Sequence, residues 1–218
     1  LSIHSQFTAE ELEAIREATR RAERQTGGEL VCVIVQQSDI YESSAWKAAA
    51  FGALGGTVLA GLWFTFTNIW VGTALPWILL PAVIGAALGT LLVWAIPSFR
   101  RALIAPRVME LRVDRRAGIA FLEEEIFATR ERIGVLIFVS LFEHGIRILR
   151  DKGLEECVPD EAWQPILDAL CTGLKVGPKG PAIATAVEAT GQLLLDHGVT
   201  RDPDAENELL DEPRLYNE

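Results

Sequence analysis

Apolar and polar residues follow three different rhythms along this chain. The first is helical. Behind Thr8-Ala9-Glu10-Glu11, a capping box in which Thr8 caps and Glu11 reaches back to its N–H, apolar positions recur at Leu12, Ile15, Ala18 and Ala22 until Gly27-Gly28. The second is a short unbroken run, Glu29 to Val35, of the kind that forms a strand buried on both faces. The third is far longer. From Ala48 to Phe99, about 52 residues, there is no Asp, Glu, Lys, Arg or His. As one helix that run would be about 78 Å long at 1.5 Å per residue, whereas about 20 apolar residues cross a bilayer. The pattern therefore predicts two spans and a turn: Trp46 to Phe66 and Leu75 to Ile96, joined through Thr67–Ala74.

Details within the run support an antiparallel hairpin in a membrane. Trp46, Trp63, Trp70, Trp77 and Trp94 fall near span ends, as interfacial tryptophans do. Pro76 suits the first turn of the second span, and Pro81 is expected to kink it. Lys47 stands at the very start of the first span, and Arg100, Arg101, Arg107, Arg112, Arg115 and Arg116 follow the second, while the tip carries no charge. Positive residues stay on the cytoplasmic side, so both chain ends and the globular part are expected there. Gly52 and Gly56 on the first span, and Gly85 and Gly89 on the second, form small-residue stripes that allow close helix packing. They serve either the hairpin itself or a contact with another membrane protein. Residues Pro97 to Arg116 mix arginines with Phe99, Leu103, Ile104, Val108 and Leu111. That stretch either lies on the headgroup surface or simply connects the second span to the next helix.

Beyond the hairpin the globular rhythms return. Arg115–Arg132 is predicted as a helix, with Ala117, Ala120, Phe121, Ile126 and Phe127 as core candidates. Ile133–Ser140 reads as a second buried strand, Glu143-His144-Gly145 as a turn and Gly145–Arg150 as an alternating third strand. Asp160 is the expected cap of a helix from Glu161 to Lys175, Gly177–Pro181 a loop, and Ala182–His197 a last helix closed by Gly198. The first two strands are most simply parallel and the third antiparallel to the second. The expected organisation is thus an α/β domain in two parts, residues 1–45 and 98–198, interrupted by a hairpin at 46–97. A solvated acidic tail is expected at 199–218, with Asp202, Asp204, Glu206, Glu208, Asp211 and Glu212.

Composition narrows the function. The 218 residues are 50% apolar and 23% charged, with a net charge of −10. A mean hydropathy of +0.23 beside that much charge reflects the hairpin. An acidic chain without a lysine stripe is not expected to bind nucleic acid. Cys32, Cys157 and Cys171, an odd and scattered set, read as buried small hydrophobes in a reducing compartment. The first residues show no charged segment followed by an apolar one, so no signal peptide is expected there. Past Lys47 at the start of the first, no ionisable residue lies inside either span, which removes the usual marker of an ion path.

Several segments together resemble the TPM domain family, of thylakoid-lumen, photosystem II repair and MOLO type. They are the capped helix leading into Thr26-Gly27-Gly28-Glu29-Leu30-Val31, the Ala117–Phe127 helix, Thr129–Ile137, Ile146–Leu154, and Trp163 in the helix that follows. The chain resembles the bacterial membrane branch, whose domain is interrupted by a hydrophobic hairpin. The resemblance implies a three-layer α/β/α sandwich. Family members have been proposed as acid phosphatases, as calcium-binding domains, and as assembly or repair factors of membrane complexes, photosynthetic ones included.

The residues weigh differently for these three. There is no P-loop, Cys-x5-Arg, Asp-x-Asp-x-Thr or His–Asp cluster, and His4, His144 and His197 are dispersed, so no catalytic set is expected. Calcium needs six to eight converging oxygens. Asp151, just past the third strand, is the best candidate ligand, with Glu29, Glu155 or Glu156 beside it. Asp151 as a turn cap is the plainer reading. Glu123-Glu124-Glu125 point about 100° apart on a helix and are expected to be a solvated face. The favoured expectation is a non-catalytic accessory or assembly subunit whose partners are the lipid bilayer and integral membrane proteins.

Overall fold

The computed structural model describes residue 3 and residues 6–67, 74–129, 132–200 and 211–216. The chain divides into two compact units, Leu1–Ser38 with Glu110–Glu218, and Asp39–Met109. The second unit is therefore wider than the expected hairpin at both ends.

The first unit is a mixed α/β domain, mostly helical. Helix α1 (Ala9–Gln25) starts at the expected box: Glu11 N donates to Thr8 Oγ1 at 3.1 Å, and Thr8 N donates to Glu11 Oε2 at 2.8 Å. Strand β1 (Leu30–Val35) follows, buried at every residue. After the second unit come α5 (Pro106–Glu123), whose first turns begin in that unit, then β2 (Val135–Ser140) and β3 (Gly145–Arg150). The short α6 (Lys152–Glu155), α7 (Gln164–Val176), α8 (Lys179–Asp196) and β4 (Arg214–Tyr216) complete it.

Sheet order is β3-β2-β1-β4. As expected, β1 and β2 run parallel, with Val33 opposite Phe138, and β3 runs antiparallel to β2, with Ile148 opposite Ile137. Period-two alternation then sorts the strands' side chains onto two faces. Leu30, Cys32, Ile34, Val135, Ile137 and Val139 join a core with α1, α7 and α8. Val31, Val33, Val35, Leu136 and Phe138 join a second core with Val113, Ala117 and Ala120 of α5. Each such apolar side chain contributes about 1.5–3 kcal/mol when fully buried, so the two central strands anchor the unit.

Several limits differ from expectation for local reasons. The predicted helix Arg115–Arg132 begins at Pro106 and ends at Glu123. Glu125 takes a left-handed backbone (φ 52°), and a 3-10 turn, Ile126–Ala128, replaces the last helical turns. Arg130 and Glu131 lie outside the described residues. Asp160 does not cap its helix. A 3-10 turn, Asp160–Trp163, precedes α7, and the Asp160 carboxylate accepts from Arg150 at 2.7 Å while that guanidinium lies over the Trp163 ring. The loop expected through Pro181 ends early, because α8 already starts at Lys179.

The largest correction concerns the tail. Its residues Asp202, Asp204, Glu206 and Glu208 lie outside the described set. Arg214–Tyr216, however, is no solvated extension but a strand pairing parallel with β1, Val33 opposite Arg214 and Val35 opposite Tyr216. Gln36 N continues the pairing by donating to the Tyr216 carbonyl at 3.0 Å. An unpaired edge on so thoroughly buried a strand would leave N–H and C=O groups unmet, and β4 meets them.

In the second unit, α2 (Glu42–Thr67) and α3 (Ala74–Ala95) are long and apolar enough to cross a membrane, by length and composition. α2 starts earlier than the predicted span because Ser44 Oγ donates to the Tyr41 carbonyl at 2.7 Å, fixing the first turn. α3 continues through Pro81, and a short α4 (Pro97–Ala102) follows it. Near the base, Lys47 Nζ donates to the Leu103 carbonyl at 3.1 Å and Arg100 to the Ile40 carbonyl.

Removing β4 uncovers the β1 edge and the Leu215 and Tyr216 contacts. Truncation after Gly198 is expected to lower the midpoint of thermal unfolding by about 5 °C, the shift that 1–2 kcal/mol produces in a domain of this size. Circular dichroism melting of full-length and truncated chains in the same detergent measures it. An unchanged midpoint would show that β4 contributes nothing.

Candidate functional site

Four places hold the residues that the sequence singles out or that the fold brings together. The first is the hairpin contact. A Cβ on Gly52 would sit 2.1 Å from the Gly85 carbonyl oxygen, and one on Gly85 equally close to that of Gly52. A Cβ on Gly56 would meet the Pro81 carbonyl at 2.2 Å, and one on Gly89 that of Ala48 at 2.3 Å. As the α2 index rises by four the α3 index falls by four, which marks an antiparallel pair. All four glycines are consumed inside the hairpin, where they let two backbones touch. Phe64 and Trp77 meet edge to face, centroids 5.7 Å apart. The outward sides carry large apolar groups: Trp46, Leu59, Trp63, Phe66, Val83 and Trp94 are exposed. Trp70 and Asn68 lie outside the described residues. Beside the contact runs an apolar groove of about 670 Å³, lined among others by Gly55, Leu59, Trp63, Leu80 and Leu88. Gly55 has nothing within 4 Å of where its Cβ would be.

The second place is Asp151. Its Oδ1 accepts from Lys152 N at 2.7 Å, capping α6, and Arg132 donates to both carboxylate oxygens at 3.2 and 3.3 Å. Its own N–H donates to the Gly134 carbonyl at 2.9 Å. The carboxylate thus ties the end of β3 to the loop before β2. Glu29 is buried at the start of β1, with its carbonyl accepting from Val135 N, while Glu155 and Glu156 are exposed at α6. Among the described residues no group of three His, Cys, Asp or Glu side chains is placed to hold a metal ion, so Asp151, Glu29 and Glu155 are not brought together as a calcium cage.

The third place went unread in the sequence. Glu23 is 6% exposed and accepts from Leu30 N at 3.0 Å, at the entry to β1. Burial pushes its carboxyl up to about 9, against the pull of that N–H, and Glu29 and Asp211 add to the rise. Asp211 in turn accepts from Arg20 at 2.7 Å, and this pairing holds the guanidinium above its ordinary value. A signal existed: Glu23 stands four residues after Thr19 and eight after Ile15, on the buried stripe of α1. Farther along the tail, Arg214 and the Tyr216 hydroxyl donate to the two oxygens of Glu124 at 2.8 and 2.7 Å. Burial, with this hydrogen bond, raises the Tyr216 phenol to about 12. The three consecutive glutamates are therefore not one solvated face. Glu123 pairs with Arg116 at 3.0 Å, Glu124 holds the tail, and Glu125 turns the chain.

The fourth is a cavity of about 210 Å³ at the C-terminal end of β2, lined by Val139, Ser140, Leu141, His144, Cys171 and Lys179 among others. Ligands of open α/β sheets favour such strand ends. Lys179 donates to Gln6 Oε1 at 2.6 Å, and burial lowers its pKa against the opposing pull of Glu11. Ser140 donates to Glu143, which also accepts from Ser38 N at 2.9 Å, so this hydroxyl clamps the β2–β3 turn. Of the cysteines only Cys32 is buried, its thiol pushed up to about 12, whereas Cys171 is half-buried and Cys157 exposed. His144 occupies the turn with φ 54°, and the His197 ring meets the Leu193 carbonyl at the end of α8. His4 lies outside the described residues.

Glu23 fixes the sign of one pH effect. Folded, it keeps its proton up to about pH 9; unfolded, it loses it near the ordinary value of 4.5. The folded state binds more protons in that window, so this group's contribution to stability is complete below about pH 4.5 and is lost as pH rises towards 9. Glu23→Gln is expected to unfold at higher denaturant than the parent near pH 8, with the gap closing near pH 5. Chemical denaturation at both pH values reads it, and an equal gap at both would refute the assignment.

No protein-family model matches the chain, and no curated protein matches it. The NMR structure of the BA42 protein from the psychrophilic bacterium Bizionia argentinensis resembles it with a TM-score of 0.60 at 20% identity, over 98% of each chain. At that identity the likeness is one of fold.

Proposed function

We propose that this chain is a membrane-anchored, non-catalytic α/β protein that serves as an accessory or assembly subunit of a larger membrane complex. The observation that carries the reading is the hairpin contact. Helices whose glycines bring backbone against backbone, with tryptophan and leucine on the outside, suit a lipid solvent: packing there comes from close van der Waals contact and not from hydrophobic drive. The cores on the two faces of the sheet support the finer reading of the domain as a TPM-like three-layer α/β/α sandwich. On the distribution of Lys47 and the arginines after α3, the domain and both ends are read as cytoplasmic.

Two features that invite a partner are satisfied within the chain, since the glycine stripes face each other and β4 holds the tail. The place left for a protein partner is the groove beside the hairpin, where Gly55 stands open. A neighbouring membrane helix fits its apolar lining, and small residues permit the approach.

The topology is tested in a chain with Cys157→Ser. An impermeant maleimide outside intact cells is expected to label Asn68→Cys and to spare Glu161→Cys; the reverse pattern would invert the assignment. For the partner, extraction of native membranes in mild detergent is expected to yield an assembly larger than the single chain. Gly55→Leu should dissolve it with the chain still folded, whereas Gly56→Leu, which strikes the Pro81 carbonyl, should disrupt the hairpin. A single monodisperse chain unaffected by Gly55→Leu would end the subunit reading.

A further inference from the structure

Helix α5 has two apolar faces, and its own unit uses one. Val113, Ala117 and Ala120 are buried against the sheet. On the other side Leu111, Arg115, Ile119 and Leu122 fall within about 80° of one another, at 100° per residue. Leu111 is 59%, Ile119 38% and Leu122 62% exposed. A stripe of this kind on a helix already packed through its opposite face calls for a cover.

The charges around it indicate what that cover is. Arg112 and Arg115 are exposed within and beside the stripe, and Arg100, Arg101 and Arg107 precede it. Residues 97–115 hold these five arginines against Glu110 and Asp114, a net +3 in a chain of −10. Asp114 is paired with Arg147. A second copy of the same face would set arginine against arginine. An anionic lipid surface instead offers phosphates to the guanidinium forks and an apolar layer to the leucines. Only ten residues, six of them in α4, separate the end of α3 at Ala95 from Pro106, so α5 starts on a short tether from the second apolar helix.

We propose that the outward face of α5 is seated on the headgroup layer of an anionic membrane, Leu111, Ile119 and Leu122 in the interface and Arg112 and Arg115 on lipid phosphates. This rests on the reading of the hairpin as membrane-spanning. The interface then holds the domain at a second point, and lipid charge controls that hold.

The test uses the full chain with Cys157→Ser and Cys171→Ser, reconstituted into phosphatidylcholine vesicles with or without phosphatidylglycerol. An environment-sensitive fluorophore is placed at Ile119→Cys, Leu122→Cys, Leu59→Cys on the hairpin, or Thr185→Cys on α8. With shallow brominated lipids, the Ile119 and Leu122 probes are expected to shift to the blue and to lose intensity in phosphatidylglycerol vesicles, while the Thr185 probe does neither. Deep brominated lipids quench the Leu59 probe in both compositions. Substituting Arg112→Gln and Arg115→Gln together should raise the phosphatidylglycerol fraction needed for half-maximal quenching, since each basic residue is worth about fivefold in binding near a charged surface. If the Leu59 probe is quenched and both α5 probes stay aqueous, the proposal falls and the anchoring reading stands. If the Leu59 probe is not quenched, the anchoring reading falls and takes the proposal with it. Protection of the α5 probes in lipid-free detergent, rising with protein concentration, would show a second copy on this face and overturn the proposal.

Discussion

Everything in the α/β unit depends on β1 being enclosed on four sides. Its six residues are all buried. Two faces need helices and two edges need strands, and the chain supplies them from far apart. β2 arrives on one edge only after the chain has left the unit at Ser38 and returned at Glu110. Parallel neighbours require a long crossover, and here the crossover contains the whole apolar hairpin. α5, the last piece of that crossover, covers the face formed by Val31, Val33 and Val35, while α1 and α8 cover the other. The insertion costs the domain little, because loop-closure entropy grows only slowly with length.

The second constraint is a backbone contact with no room for a side chain. Gly52 and Gly85 face each other, as do Gly56 and the Pro81 carbonyl. In water such a pair would be an unusual core, since glycine brings no apolar surface to bury. In lipid the same contact is favourable, because dispersion between close backbones replaces looser contact with acyl chains. The glycines therefore fix how closely the two helices approach, independently of their length.

Legibility in the sequence followed the range of the interaction concerned. The capping box at Thr8 and the buried runs Leu30–Val35 and Val135–Ser140 are local patterns, and they were readable with their relative directions. The charge-free run made two apolar helices readable as well. Asp151 could be placed but not assigned between cap and ligand, because Arg132, which occupies its oxygens, approaches from another segment. Asp160 looked like a cap only because Arg150, its actual partner, lies ten residues back on a strand. β4 was hidden for a deeper reason. Arg-Leu-Tyr has no strand pattern of its own, and its pairing depends wholly on an edge of β1 that no local rhythm reveals.

How the tail is held also decides what its acidity means. Taken alone, a segment rich in carboxylates cannot bury enough apolar surface to order itself. Here the ordering comes from elsewhere. Leu215 packs against one core and Tyr216 against the other, so three residues reach both sides of the sheet. The ion pairs sort by exposure: Arg16 with Glu212 is open to solvent and adds little, whereas Arg214 with Glu124 is 17% and 11% exposed and is joined by the Tyr216 hydroxyl. That half-buried fork fixes the strand's position along β1, since a slip of one residue would exchange the faces of Leu215 and Tyr216 and leave a charge unpaired. Residues 211–216 are thus a structural part of the domain, held by strand pairing, by contacts on both faces of the sheet and by the Glu124 fork, and not by their own acidity.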